Sequence, residues 1–233
     1  MAARGIGQLL ITFGVVILLF VVYELWGTNF YTQGQQNQLE NSIHHGWNGS
    51  GPDITQANVK NVPLGSGIAV LRIPRFGKNY HMVIVEGTGY EDLKRGPGYY
   101  PGTALPGQVG NFAVAGHRTT YLAPFNKIDT IRRGDAIVLE TKTKWLVYRV
   151  QDVPAGHGYP AVPFHEIVDP TDVQVAFAVP DQSNPDKKPK LRLLTFTSCN
   201  PKYSATQRFV VHAELENVQP KSDGPPAALT TGG

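Results

Sequence analysis

Cysteine is nearly absent from this 233-residue chain, which holds one, Cys199. A lone thiol closes no disulfide within the chain, so it is either a small buried hydrophobe or a group with chemistry of its own. Charge is sparse and balanced, with Lys and Arg totalling 21 against 18 Asp and Glu. The densest basic clusters are the pairs Arg132-Arg133 and Lys187-Lys188, so no basic stripe is available to track a phosphate backbone and nucleic acid is excluded as a partner. No acidic cluster has the spacing of a calcium loop. Adjacent His44-His45 lack Cys, Asp or Glu at ligand spacing and read as solvated linker. No metal or other cofactor is expected, and no segment repeats.

Long apolar runs are also missing, with one exception. Gly5 to Tyr23, GIGQLLITFGVVILLFVVY, runs without a charge, and at about 1.5 Å per residue it nearly spans a hydrocarbon core about 30 Å thick. It reads as a transmembrane helix. Arg4 lies before it and Glu24 is the first charge after it, which favours an amino terminus (residues 1–4) in the cytoplasm and the remainder outside. A cleaved signal peptide is the competing reading, but the run is long for one, and ELWGTNFYTQG offers no small-x-small cleavage site.

Residues 24–66 are rich in Gln, Asn, Gly and Ser and read as a flexible stalk; Asn48-Gly49-Ser50 within it fits a glycosylation sequon. From about residue 67 to 217 short apolar runs alternate with Gly and Pro turns. IAVLRIP, MVIVEG, NFAVAG, AIVLET, WLVYRVQDV, LRLLTFTSC and RFVVHAEL predict strands, while YEDLKRG and LAPFNKI carry brief helical signals. The pattern predicts a mostly β domain, an antiparallel sandwich or a small closed barrel. Residues 218–233 are disordered by composition.

The thiol has a defined place in this pattern. In LLTFTSCNP, Leu193, Thr195, Thr197 and Cys199 share one strand face, with Cys199 last before the Asn200-Pro201 break. A rim position suits a nucleophile better than a core filler. The strand NFAVAG ends at Gly116 and delivers His117, and the strand beginning near Arg208 returns antiparallel after a short loop, which brings Arg208 beside Cys199. A thiol, an imidazole and a guanidinium at three strand ends suit acyl transfer: cysteine attacks a carbonyl, histidine protonates the leaving amine, and arginine with backbone N–H groups stabilises the oxyanion. Taken singly, His117 reads equally as a turn or core histidine and Arg208 as a surface ion-pair partner. His81, His157 and His165 lie in or near loops without a matching partner, and His212 lies about 13 Å along the Arg208 strand; of these, His165 is the reserve imidazole.

TFTSC followed by Arg208, with AGHRTTY upstream, resembles the sortase family of cysteine transpeptidases, whose signature is a Thr-Leu-x-Thr-Cys strand with an upstream His and a downstream Arg. The likeness runs from about Gly67 to Leu215 through RIPRFG and IVDPTDVQV. With the amino-terminal anchor and AGHRTTY, it is most similar to class E sortases of high-GC Gram-positive bacteria. Phe196 replaces the usual leucine, and Ser198 replaces the usual threonine, keeping its hydroxyl and losing a methyl. The resemblance implies a closed eight-stranded β-barrel with short helices and a substrate with a Leu-Ala-x-Thr-Gly or Leu-Pro-x-Thr-Gly signal. It implies cleavage between Thr and Gly and transfer to a cell-wall precursor or pilin amine.

The same resemblance implies Cys199 as nucleophile, His117 as general acid then base, and Arg208 as oxyanion stabiliser. At pH 7, reference values of about 8.5 for a thiol and 6.5 for an imidazole leave roughly 1% or less of a thiolate-imidazolium pair if the two titrate independently. Thr195, Thr197 and Ser198 are the candidate groove residues on the cysteine strand. Val162 and Phe164 are candidates on the long segment before it, and the tyrosine of AGHRTTY, Tyr121, is the candidate for reading alanine in the signal. Two rival readings stand beside the enzyme: a non-catalytic, membrane-anchored, wall-associated binding module, and a substrate whose tail LTTGG imitates a sorting signal without its second position.

Overall fold

The computed structural model describes residues 2–23, 28–49, 54–55, 58–156, 158–180 and 187–230. Ser50 of the sequon, His157 and the tail residues 231–233 lie outside the described residues. Helix α1 (Ala2–Val22) contains the apolar run, and none of the stretch Gly5–Val22 is buried against the rest of the protein. By length and composition this helix is able to cross a membrane. It is followed by α2 (Thr28–Asn48) and, later in the chain, by the short helices α3 (Tyr90–Leu93) and α4 (Ala227–Thr230).

Nine strands are present among the described residues: β1 (Gly67–Arg72), β2 (His81–Glu86), β3 (Gly98–Tyr99), β4 (Gly110–Ala115), β5 (Ala136–Glu140), β6 (Lys144–Val150), β7 (His165–Val168), β8 (Arg192–Asn200) and β9 (Gln207–Pro220). They pair in the order β6-β5-β1-β2-β3-β4-β8-β9, and a further β6–β9 pairing closes eight of them into a barrel. The long β9 makes closure possible: residues 207–214 pair with β8, and residues 213–220 pair with β6. β7 pairs with residues 208–211 on the β6 side of β9, extending that edge. Inward residues form one core in which Leu71, Ile84, Phe112, Phe125, Phe196 and Val211 are buried. The runs IAVL, MVIV and NFAVA thus form strands as their composition predicts.

The apolar positions of β1 and β2 are consecutive rather than alternate, so both faces of these strands need cover. Leu71 and Ile84 face the barrel core, while Val70, Val83 and Val85 face outward and meet Leu39 and Ile43 of α2. Full burial of such a side chain contributes about 1.5–3 kcal/mol. Gln36 completes the seam: its Nε2 donates to the carbonyls of Val83 (3.1 Å) and Arg95 (2.7 Å), and its Oε1 accepts from the Val83 N–H (2.7 Å). The expected flexible stalk therefore carries a helix seated on the barrel. Thr32, Gln36, Leu39, Ile43 and Trp47 recur at helical spacing as one stripe, but its first two members are polar and satisfied by hydrogen bonds rather than by apolar burial.

Three other expectations change. The described part of the tail carries structure, because β9 runs to Pro220 and α4 lays Ala228 and Leu229 on Val138, Trp145 and Val147. LAPFNKI runs mostly through turns, and its last residue opens a 3-10 helix at Ile128–Thr130. The long segment before β8 contains β7, and it packs Val153, Tyr159, Val162 and Val179 on the outward face of Leu193.

Candidate active site

Strand alternation sets the direction of the thiol. Leu194 and Phe196 point into the barrel core, so Leu193, Thr195, Thr197 and Cys199 point outward. Cys199 is half-buried near the end of β8. β4 runs parallel to β8 with Ala115 opposite Thr197. The ladder continues one step further, where the Gly116 N–H donates to the Thr197 carbonyl (3.0 Å) and the Ser198 hydroxyl donates to the Gly116 carbonyl (2.8 Å). His117 therefore leaves the sheet level with the end of β8. A Cβ on Gly116 would lie 2.5 Å from the Phe125 ring, so glycine is required there for the loop to fold back. That return is closed by the Phe125 N–H donating to the His117 carbonyl (3.0 Å).

The His117 ring is half-buried beside Tyr121, with ring centroids 5.1 Å apart. Burial pulls its pKa below the ordinary 6.5, because desolvation disfavours the imidazolium. Its Nε2 is buried and has no hydrogen-bond partner among the described residues.

Arg208 stands directly opposite Cys199 across the antiparallel β8–β9 ladder, a placement that leaves the two Cβ atoms about 5 Å apart. Its Nη1 donates to the carbonyls of Ala205 and Gln207 (both 3.0 Å), which folds the guanidinium over the turn joining the two strands. Asp169 lies near enough to feel this charge: its carboxyl is held below the usual range by hydrogen bonds from Thr171 first, and then by Arg208.

The other predicted residues fall into two groups. Tyr121 is half-buried at the site, its hydroxyl 3.3 Å from that of Tyr90. Thr197 is buried and bonded to the Tyr100 hydroxyl (2.8 Å), one residue pair from the thiol. Thr195, Ser198 and Val162, by contrast, present nothing to a groove. Thr195 is fully buried, its hydroxyl bonded to Asn111 (2.7 Å) and His212 (2.9 Å). Ser198 is buried and spends its hydroxyl on Gly116. Val162 is fully buried under the long segment. Phe164 packs against the barrel core beneath Arg133, and His165 lies between Phe164 and Phe209, away from the thiol's place on β8. A cavity of about 700 Å³ lined by Trp47, Gln108, Lys144 and Arg192 lies at the opposite end of the barrel, where β8 begins.

Comparison with known proteins decides the family. The Sortase domain family model matches residues 71–216, a span containing His117, Cys199 and Arg208. The chain belongs to the sortase family. Sortase SrtE1 of Streptomyces coelicolor is 35% identical over 99% of this chain, which spans 62% of that relative's length. The solved SrtF sortase from Corynebacterium diphtheriae is 36% identical with a TM-score of 0.68, covering 78% of this chain and 98% of its own. Sortase E from Streptomyces avermitilis is 40% identical with a TM-score of 0.60, covering 72% of this chain and 99% of its own. The resemblance to class E sortases thus holds beyond the short motifs.

In this sortase, three site residues were not singled out from the sequence. Tyr90, on α3, is exposed beside Tyr121 and carries the Lys94 ammonium 4.1 Å above its ring. Tyr100 reaches Thr197 from just beyond β3. Arg118 is 5% exposed and bonds the strand of Cys199 directly. Only Arg118 left a trace in the sequence, as a charged residue beside the histidine of AGHRTTY.

Proposed function

We propose that this sortase is a membrane-anchored cysteine transpeptidase acting on a Leu-Ala-x-Thr-Gly or Leu-Pro-x-Thr-Gly signal. The observation that carries this reading is the register that brings His117 and Arg208 to the end of β8 at Cys199. The Cys199 thiolate attacks the threonine carbonyl, Arg208 and backbone N–H groups stabilise the oxyanion, and His117 gives its proton to the departing glycine amine. An incoming amine then attacks the thioester, loses its proton to His117, and regenerates the thiolate. Water in place of the amine gives hydrolysis. The acceptor is a peptidoglycan-precursor or pilin amine.

In this reading residues 1–4 lie in the cytoplasm, residues 5–23 anchor the chain and residues 67–217 form the extracellular catalytic domain. The helix α2 supports an active site close to the membrane. Asn29 touches the His117 loop, and the six residues from Tyr23 to Asn29 reach at most about 20 Å. A cysteine kept only for packing or for an intermolecular disulfide is disfavoured by the pairing of a half-buried, outward thiol with Arg208.

The test is incubation of the protein with sorting peptides and measurement of the acyl-enzyme by intact mass. The wild type gains the mass of the acyl fragment and Cys199→Ala does not. Arg208→Ala lowers acylation by about two to three orders of magnitude, the range of an oxyanion donor. Cleavage by Cys199→Ala at the wild-type rate would end this reading.

A further inference from the structure

Arg118 follows His117 directly, and its guanidinium is buried, an uncommon fate for the most polar of side chains. Its Nη1 donates to the Cys199 carbonyl (3.2 Å) and to the Asn200 Oδ1 (2.7 Å). Its Nη2 pairs with Asp129 (3.0 Å), whose carboxylate is about half exposed. The cation also sits 5.6 Å from the centroid of Phe209, the β9 neighbour of Arg208. Its own carbonyl accepts from Asn126 Nδ2 (3.1 Å), which fixes the backbone of the same loop. One side chain thus ties together the loop carrying His117, the last two residues of the cysteine strand and the start of β9.

We propose that Arg118 is a positioning residue for the transpeptidase reaction, a buried guanidinium that sets the end of β8 against the His117 loop and so fixes the thiol relative to the imidazole. The inference rests on the reading of Cys199 and His117 as the reacting pair. Its physical basis is the fork of the guanidinium, which holds two acceptors on β8 and a third on the 3-10 helix Ile128–Thr130 in fixed relative directions. Thiol and imidazole sit on different elements, and among the described residues the last ladder bond between them is the one from the Gly116 N–H. A lysine retains the charge but offers no planar fork. A misplacement of about 1 Å between reacting groups costs on the order of 100-fold in rate, so the loss falls on the acylation step and spares peptide binding.

The experiment uses the full chain in detergent micelles and a fluorogenic Leu-Ala-Asn-Thr-Gly peptide, with active sites counted by methanethiosulfonate labelling of Cys199. The expected result is that Arg118→Lys lowers kcat per titrated thiol about tenfold and Arg118→Gln about 100-fold, while KM stays within about twofold. Three results overturn the proposal: an unchanged kcat per thiol with only a lower Tm, which is a structural role; a loss carried by KM, which is a substrate contact; or full activity in Arg118→Lys. If Arg118→Gln does not fold, Arg118→Lys decides. Cys199→Ala run in parallel separates the two levels, since cleavage by that variant removes the underlying reading, whereas an inert Cys199→Ala beside a fully active Arg118→Lys removes only the role of Arg118.

Discussion

The side chain of Asn29, on the helix next to the apolar span, accepts a 2.9 Å hydrogen bond from the Leu122 backbone N–H in the loop that follows His117. That loop is held in an unusual shape. Tyr121, Leu122 and Ala123 have φ values of 52°, 62° and 43°, three consecutive non-glycine residues in the left-handed region. Each costs about 1–2 kcal/mol relative to ordinary backbone. Docking of α2 on β1 and β2 thus helps hold a strained loop at the end of the barrel where His117 and Cys199 lie.

Leu122→Gly is expected to stabilise the protein, because glycine adopts the same φ without a Cβ clash. Relief of about 1–2 kcal/mol is partly offset by about 0.4–1 kcal/mol of added unfolded-chain entropy. The net gain corresponds to a rise of a few degrees in Tm. Asn29→Ala lowers Tm, and by less in the Leu122→Gly background. A thermal melt of the four proteins in the cycle checks this, and a Tm that falls in Leu122→Gly shows that the leucine side chain contributes more than its backbone strain costs.

Gln36 makes a second prediction. Replacing it with leucine keeps much of the volume but leaves the Val83 N–H and the Arg95 carbonyl without their partners. Each buried, unpaired group costs about 1–3 kcal/mol. Gln36→Leu should therefore destabilise by about 2–5 kcal/mol, read as a shift in denaturation midpoint. A protein lacking residues 1–49 should expose Val70, Val83 and Val85 and aggregate. A soluble truncated protein with wild-type Tm would show that α2 is not needed for the fold.

The strand set and the place of the thiol in it were legible because their signals are local. Apolar runs between turn residues define β1, β2, β4, β5, β6, β8 and β9, and a strand's period of two residues places Cys199 on an outward rim. What escaped depends on contacts distant in sequence. The polar half of the α2 stripe is legible only once Gln36 is known to face the Val83 N–H and carbonyl. β3 has two residues, too few for any pattern. Thr195 and Ser198 share the strand of the thiol, yet their hydroxyls are taken by Asn111, His212 and Gly116 on neighbouring strands. Arg118 looks like any loop arginine until the fold wraps Cys199, Asn200 and Asp129 around it.

The half-buried imidazole predicts two effects of pH. Above about pH 6.5 both folded and unfolded chains hold His117 neutral. As pH falls below that value the unfolded chain takes up a proton first, since the folded pKa is the lower one, and stability declines on acidification. His117→Asn removes this part of the pH dependence, measurable by denaturation at pH 7 and pH 5. In catalysis the imidazolium fraction at pH 7 is smaller than the roughly one quarter of an exposed imidazole. The acid limb of kcat/KM, set by the lower macroscopic value, should therefore bend below pH 6.5. A bend above pH 6.5 would mean that a charge neighbour outweighs burial in the working enzyme.

The last prediction concerns the second residue of the sorting signal. Tyr121 lies against His117, and its hydroxyl is near that of Tyr90. A phenol oxygen is an acceptor as well as a donor, and alanine in Leu-Ala-x-Thr-Gly supplies an N–H where proline has none. One such bond contributes about 0.5–1.5 kcal/mol, a two- to tenfold preference in kcat/KM. Tyr121→Phe is therefore expected to narrow the alanine-to-proline ratio, chiefly by slowing the alanine peptide. Tyr90→Phe separates the two hydroxyls. If Tyr90 only orients Tyr121, its loss weakens the preference without abolishing it, whereas an equal loss on both peptides in Tyr121→Phe leaves that hydroxyl a packing role and moves the choice of second residue elsewhere in the groove.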